Sequence, residues 1–281
     1  MKILITGANG MLARAAAEYC RGIGDHVTAL SHSEMDIADH GAVERQLTST
    51  APDAILNCAA YTNVDGAETD KQESYDANAT GVENLADVCR KIDAGFVTVS
   101  TDYVFDGLKK GFYTQRDTPN PRGVYAMTKY YGEILARNTY ARSIVVRSGW
   151  IFGSGGTNFL SVVDRLLAEG KTIKAIGDAY GTPTYATDLA RRLRELAELD
   201  LPGIYHVTNS GEGTSYLGFA EKVAELKGSN GSLIEPTSMK ELSRPAPRPV
   251  SSKLACLFSE RLGLAPLPHW EEALKSYLNG S

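Results

Sequence analysis

Lys2-Ile3-Leu4-Ile5-Thr6-Gly7-Ala8-Asn9-Gly10-Met11-Leu12-Ala13 carries the chain from a short apolar run through a glycine turn into a helix-favouring stretch that continues to Arg21. With a second apolar run at His26–Leu30, this makes a βαβ unit of about thirty residues, the size a dinucleotide fingerprint requires. Gly7 suits the tight turn. Gly10, three residues on, lets backbone N–H groups approach a pyrophosphate at the helix N-terminus, where the dipole favours negative charge. Ala13 stands where a third glycine could sit, and its small side chain still permits close helix–sheet packing. A tight turn without a ligand has the same spacing, so the glycines alone do not decide between the two.

A helix is expected over 41–49 and a strand over 53–58, punctuated by Ala51-Pro52. That strand closes on Asn57-Cys58-Ala59-Ala60, small side chains that leave room for a cofactor across the strand ends. Residues 65–91 read as a long helical region, kinked near Gly81, that carries Asn78 back toward the sheet. Strands are expected at 96–100 and 143–148, on either side of a helix over 125–138. The alternation predicts an α/β fold, a Rossmann-like doubly wound parallel sheet over residues 1–150.

After Trp150-Ile151-Phe152-Gly153 the pieces shorten. A helix through Leu167, a strand at 173–176, an irregular segment at 177–184, a helix at 188–199 and a strand at 204–207 are expected. A helix at 215–227, the run Pro245-Ala246-Pro247-Arg248-Pro249 and a last helix at 269–278 complete the chain. Residues 151–281 are expected to form a small substrate-binding lobe over the strand ends. It is interleaved with the first part rather than independent, with substrate between the two.

Composition narrows the function. With 22% charged and 43% apolar residues the chain is an ordinary globular protein. A formal net charge of -5 gives no electrostatic footprint for nucleic acid. Cys20, Cys58, Cys89 and Cys256 are scattered without a Cys-x-x-Cys pair. Neither a metal site nor a disulfide frame is indicated, and a reducing cytoplasm is expected. No run of about eighteen apolar residues and no signal h-region occurs, so no membrane partner is expected.

The chemistry concentrates between Ser100 and Lys129. Thr101 falls at the carboxyl end of the fourth strand, where open α/β sheets place ligands. Tyr125 and Lys129, four apart, share one helix face. A phenol is a suitable acid for a carbonyl receiving hydride, but its ordinary pKa of about 10 is high for exchange near neutrality. A lysine one turn away is expected to lower it, and Thr101 to orient the substrate oxygen. An isolated Tyr-x-x-x-Lys is more often a surface pair; the glycine turn and Thr101 make this one a hydride-transfer candidate.

These motifs resemble those of the extended short-chain dehydrogenase/reductases and, more narrowly, the dTDP-4-dehydrorhamnose reductase family. Besides the opening turn, Met35-Asp36-Ile37, Asn57-Cys58-Ala59-Ala60-Tyr61-Thr62-Asn63-Val64-Asp65 and Ser100-Thr101-Asp102-Tyr103-Val104-Phe105-Asp106-Gly107 carry the likeness. So do Tyr125-Ala126-Met127-Thr128-Lys129, Gly181-Thr182-Pro183-Thr184 and Arg248-Pro249. The resemblance covers nearly the whole chain. It implies NAD(P)H-dependent reduction of the C4 ketone of a dTDP-6-deoxyhexulose, with Tyr125 as acid, Lys129 as its tuner and a ribose ligand, and Thr101 as the orienting hydroxyl.

It further implies cofactor contacts from Gly7, Asn9, Gly10, Met11 and Leu12, and from Ser31 and His32 at the second strand's end. Asp36 and Ile37 would flank the adenine, Ala59, Ala60 and Tyr61 would lie along the cofactor, and Asn78 would join them. Asp102, Val104, Phe105, Trp150, Asn158 and Arg248 are the implied sugar and nucleotide ligands, although Trp150 could equally be core and Arg248 a solvated charge. Leu30-Ser31-His32-Ser33 offers neither the acidic residue that grips a 2′-hydroxyl nor an arginine for a 2′-phosphate. The lean to NADPH over NADH is therefore slight.

Relatives that dimerise through magnesium use a carboxylate on the first helix; Ala15 stands there, so a monomer or weak homodimer without metal is expected. Departures from the family pattern fall near the sugar site: Arg122 and Gly123 before the tyrosine and Ala126 after it, Asp178-Ala179 in place of Asp-Gln, and Ser148-Gly149 before Trp150. Another nucleotide-sugar ketoreductase or epimerase, or a non-catalytic regulatory subunit such as those of methionine adenosyltransferase, shares the same scaffold.

Overall fold

In the computed structural model, which describes residues 1–280, the opening stretch forms β1 (Lys2–Thr6) and α1 (Met11–Gly22), and β2 (His26–Leu30) completes the unit. Next along the chain are α2 (His40–Thr50), β3 (Ala54–Asn57), α3 (Lys71–Tyr75), α4 (Gly81–Ile92), β4 (Gly95–Thr101), α5 (Val124–Thr139) and β5 (Ser143–Ser148). The second half holds β6 (Ile151–Phe152), α6 (Phe159–Ala168), β7 (Ile173–Ile176), β8 (Tyr180–Gly181), β9 (Thr184–Tyr185) and α7 (Ala186–Leu199). Then come β10 (Gly203–His206), β11 (Thr214–Ser215), α8 (Tyr216–Lys227), β12 (Ile234–Thr237) and α9 (Trp270–Gly280).

Six strands form one parallel sheet in the order β2-β1-β3-β4-β5-β10. The chain leaves β1 toward β2 on one side and returns to β3 on the other. The strand order thus reverses there, which opens a crevice beyond the carboxyl ends of β1 and β3. Side chains alternate between two covered faces, as the two-residue period of a strand requires. Ile3, Ile5, Leu56 and Val97 pack with α1 and α7, while Leu4, Ile55 and Phe96 pack with α2 and α4. Burial on both faces is why β3 and β5 read as unbroken buried runs.

Two elements expected in the small lobe pack with the central sheet instead. β10 extends the sheet along β5, with Gly203 opposite Ile144 and His206 opposite Arg147. α7 buries Leu189, Leu193 and Leu196 in the same core as Ile3 and Ile5. A four-residue apolar strand satisfies its backbone only by joining a partner, and the open edge of β5 provides one. The lobe proper is α6, α8, α9 and the paired β7 and β12, closed on Phe152, Val163, Phe219, Val223 and Leu274.

The long helix expected over 65–91 is divided. After a 3-10 turn at Gly66–Glu68 and α3, one π-helical turn, Asp76–Thr80, precedes α4. This widened turn sets the Asn78 carbonyl against Gly132 of α5, where a side chain would collide with it. α5 starts at Gly123, which has no capping side chain. Glu68 supplies one from a distance: its Oε1 accepts from Val124 N at 2.8 Å, a carboxylate at the positive end of a helix. Among the described residues no helix is long and apolar enough to cross a membrane.

Candidate active site

A cavity of about 1110 Å³ lies at the carboxyl ends of the sheet, walled on the far side by the small lobe. Asn9, Gly10, Met11 and Leu12 line one end of it. The N-cap of α1, Gly10, brings no side-chain acceptor, and the first turn holds no acid. The orphan N–H groups of that turn therefore open onto the cavity as a helix-dipole anion site. Gly7 sits beneath with φ +71°, and a Cβ there would lie 2.9 Å from the Ala59 backbone. Arg14 donates to the carbonyls of Asn9 and Gly155, both at 3.0 Å, and so holds the turn against the loop after β6. These features fit a dinucleotide pyrophosphate.

Thr101, Tyr125 and Lys129 share the cavity wall. Thr101 ends β4, in register with Ser148 of β5, and its hydroxyl lies within hydrogen-bonding reach of the Tyr125 phenol. Tyr125 packs edge-on to Tyr103, with ring centroids 5.8 Å apart. Burial pushes the phenol up to about 12, and the Asp102 charge adds to the rise. The expected lowering by Lys129 is not what the structure shows. Lys129 is 5% exposed, and its ammonium donates to the Val99 carbonyl at 2.8 Å. Burial pushes Lys129 itself down to about 8, against the pull of Glu133.

Other expected ligands are placed differently. Val104 and Phe105 are core: with Tyr113 and Leu254 they close a buried cluster, and Phe105 stacks on Tyr113 at 4.3 Å. The tight turn after Thr101 swings them inward, away from the cavity. Ile37 is also core, packed at Gly81. Asn78 is fully buried and its amide is spent on protein: it accepts from Tyr61 N at 3.0 Å and donates to the Tyr61 carbonyl at 3.1 Å and to Thr128 at 3.2 Å. It ties the strand-end loop to α5 rather than holding a ligand. Tyr61 turns its hydroxyl outward to Asp70 at 2.9 Å.

Asn158 lines the cavity, but its oxygen caps α6 at Ser161 N and its nitrogen donates to the Ile151 carbonyl. Asp102 also lines it, with its carboxyl turned to Thr101 and Ser252. Ala60, Trp150 and Arg248 remain as expected on the wall. Trp150 holds a left-handed φ of +52° and stacks on Tyr216 at 3.9 Å, so it is wall and lobe packing at once.

Arg248 forms a two-pronged ion pair with Asp65, the closing residue of the Asn63-Val64-Asp65 motif. Sequence reasoning noted both motifs without joining them; their shared charge complementarity was the available signal. It also missed Tyr103, Tyr216 and Ser252 and the cations Lys174, Lys240 and Arg244, all on the wall. Several of these come from irregular segments with no periodicity to mark them.

At the far end of β2, Ser31 is buried and gives both its N–H and its hydroxyl to Glu34, at 2.8 and 2.6 Å. An acidic residue thus reaches the strand end after all, from three positions downstream. His32 is exposed, 3.7 Å from Asp36, whose Oδ1 also accepts from Ala38 N. Among the described residues no three or more His, Cys, Asp or Glu side chains group to hold a metal ion.

The family model described as RmlD substrate binding domain matches residues 1–281. A dTDP-4-dehydrorhamnose reductase of Mycobacterium tuberculosis (strain ATCC 25618 / H37Rv) is 38% identical over 283 residues, covering 99% of this chain and 92% of that protein. A probable dTDP-4,6-dihydroxy-2-methyloxan-3-one 4-ketoreductase of Streptomyces antibioticus is 36% identical, covering 98% and 94%. Among solved structures, a dTDP-4-dehydrorhamnose reductase from Bacillus anthracis str. Ames in complex with NADP has a TM-score of 0.95 at 32% identity, covering 100% of both chains. Matched along its whole length, this chain belongs to the RmlD substrate binding domain family, that of the dTDP-4-dehydrorhamnose reductases.

Proposed function

We propose that this protein is a dTDP-4-dehydrorhamnose reductase working in the cytoplasm, which reduces the C4 ketone of dTDP-4-dehydro-L-rhamnose with NADPH in preference to NADH. The observation that carries the reading is one cavity with two ends: the uncapped α1 N-terminus at one, and the Thr101 and Tyr125 hydroxyls over a buried Lys129 at the other.

When bound, the reduced nicotinamide supplies hydride. Gly10, Met11 and Leu12 would hold the cofactor's pyrophosphate, and Lys129 would be its ribose ligand. Tyr125, kept protonated at neutral pH by burial, gives its proton to the C4 oxygen. The Lys129 ammonium, held by the Val99 carbonyl one helical turn from Tyr125, adds positive charge to that end of the cavity. Arg248, braced by Asp65, with Lys174, Lys240 and Arg244, opposes the charge of the substrate diphosphate. Trp150, on Tyr216, gives the sugar a flat wall.

The test is cofactor oxidation followed by absorbance with dTDP-4-dehydro-L-rhamnose. Tyr125→Phe is expected to lower kcat by about 10²- to 10⁴-fold with the cofactor Kd unchanged. A wild-type protein that binds NADPH but oxidises it with no nucleotide ketosugar refutes the reading. A second reading, another nucleotide-sugar 4-ketoreductase, is favoured at one point: Ala179 brings only a methyl to the wall. Turnover with a different dTDP-ketosugar, and the stereochemistry of its product, separate the two.

A further inference from the structure

The Asp102 carboxyl has no part in the proton transfer from Tyr125, yet its contacts lead to that phenol. It follows Thr101 and is 3% exposed. Its Oδ1 accepts from the Thr101 hydroxyl at 3.1 Å and its Oδ2 from the Ser252 hydroxyl. The missing side chain of Gly149 makes the room, since a Cβ there would collide with all three atoms of the carboxyl group.

A hydroxyl has one proton to give and two lone pairs. Thr101 gives its proton to Asp102 and accepts from Tyr103 N at 3.2 Å. What it turns toward the Tyr125 phenol is therefore a lone pair. With Asp102 ionised, the phenolate left by proton donation would face that lone pair and a carboxylate beyond it. With Asp102 protonated, the Thr101 proton is free to turn to the phenolate and stabilise it.

We propose that Asp102 is a positioning residue whose ionisation sets the direction of the Thr101 hydroxyl, and thereby the readiness of Tyr125 to release its proton. This role rests on the protein being a reductase. The titratable groups around the carboxyl are Tyr103 on its own turn, Tyr125 on α5 and Tyr216 on α8, with Arg244 and Arg248 acting on Tyr216; Lys129 follows one turn beyond Tyr125 on α5. The phenols are all pushed up by burial, the arginines stay charged, and Lys129 titrates near 8, on the alkaline side. Burial pushes Asp102 up to about 6, while the Ser252 and Thr101 hydrogen bonds pull it down.

The experiment is kcat against pH from about 5 to about 8 at saturating cofactor and ketosugar, for wild type, Asp102→Asn and Ser252→Ala. A titration of ligand-free protein by carbon-13 aspartate NMR runs beside it. Wild-type kcat should fall to a lower plateau as pH rises through the Asp102 ionisation, with KM steady. Asp102→Asn should lose the inflection and one titrating resonance. Ser252→Ala removes a donor that favours the carboxylate, so the inflection and the resonance should both move to higher pH; this variant keeps the test open should Asp102→Asn not fold. An inflection that persists in Asp102→Asn, or stays in place in Ser252→Ala, overturns the proposal, as does turnover with pH-independent kcat. Cofactor binding with no turnover of any nucleotide ketosugar overturns the reductase reading, and this inference with it.

Discussion

Glu34 folds back on Ser31 and so leaves His32, with its side chain 84% exposed, as the group at the end of β2 free to meet a 2′-phosphate. Exposed charge contacts of this kind contribute only about 0.2–1 kcal/mol. His32→Ala should accordingly lower kcat/KM for NADPH by about two- to fivefold and leave the NADH value unchanged; an equal loss with both cofactors would remove His32 from phosphate recognition. At this scale the sequence was most readable where chemistry follows local spacing. Gly7 to Leu12 follow from the length of a βα turn, and Tyr125 with Lys129 from one helical turn. It misled where a motif merely ran on: nothing local distinguishes Asp102, which stays at the cavity, from Val104 and Phe105, which the next turn buries.

α5 presents Tyr125, Lys129 and Glu133 on one face in steps of four. Glu133 accepts from the Ser100 hydroxyl at 2.5 Å and from Arg147 at 2.9 and 2.6 Å. It thereby fastens the helix to β4 and β5. Both members of the ion pair are 3% exposed, and Arg147 lies over the Phe105 ring at 5.2 Å. Removing one partner strands the other charge in the core. Arg147→Met should therefore cost about 3–5 kcal/mol in urea denaturation, and adding Glu133→Leu should recover a large part of it. Equal losses in the single and double variants would contradict this account. Most element boundaries were legible to within a residue or two, because hydrophobic period and turn residues are local. The π-helical turn at Asp76–Thr80 was not, since its cause includes the packing of α5, some fifty residues downstream.

For the molecule as a whole, the return of β10 to the sheet brings His206 beside Arg147 of β5. Its Nδ1 stands 3.1 Å from two carbonyls, Tyr113 and Ala255, so it must be the nitrogen that carries the proton. Nε2 is left 3.5 Å from the Arg147 guanidinium. Burial first, then Arg147, pushes His206 from 6.5 down to about 4. Between those values the unfolded chain holds more proton than the folded one, so stability rises with pH through that window and is fully present above it. Acidification should cost up to roughly 3 kcal/mol through this residue. Urea midpoints near neutrality and near pH 4 should diverge less in His206→Gln than in wild type; identical divergence would acquit His206 of the effect.

The sequence by itself determined the βαβ opening, the parallel alternation and the Thr101–Tyr125–Lys129 triplet, because periodicity, turn length and helical spacing are geometry over a few residues. Only the tertiary structure decided that Arg248 braces Asp65 across 183 positions, that β10 joins the sheet and α7 covers its face, and that Lys129 is tied to a backbone carbonyl. It also sealed Asp102 beneath Gly149 and Ser252. Burial and pairing depend on which distant segments close over a residue, and that is settled only when the whole chain packs.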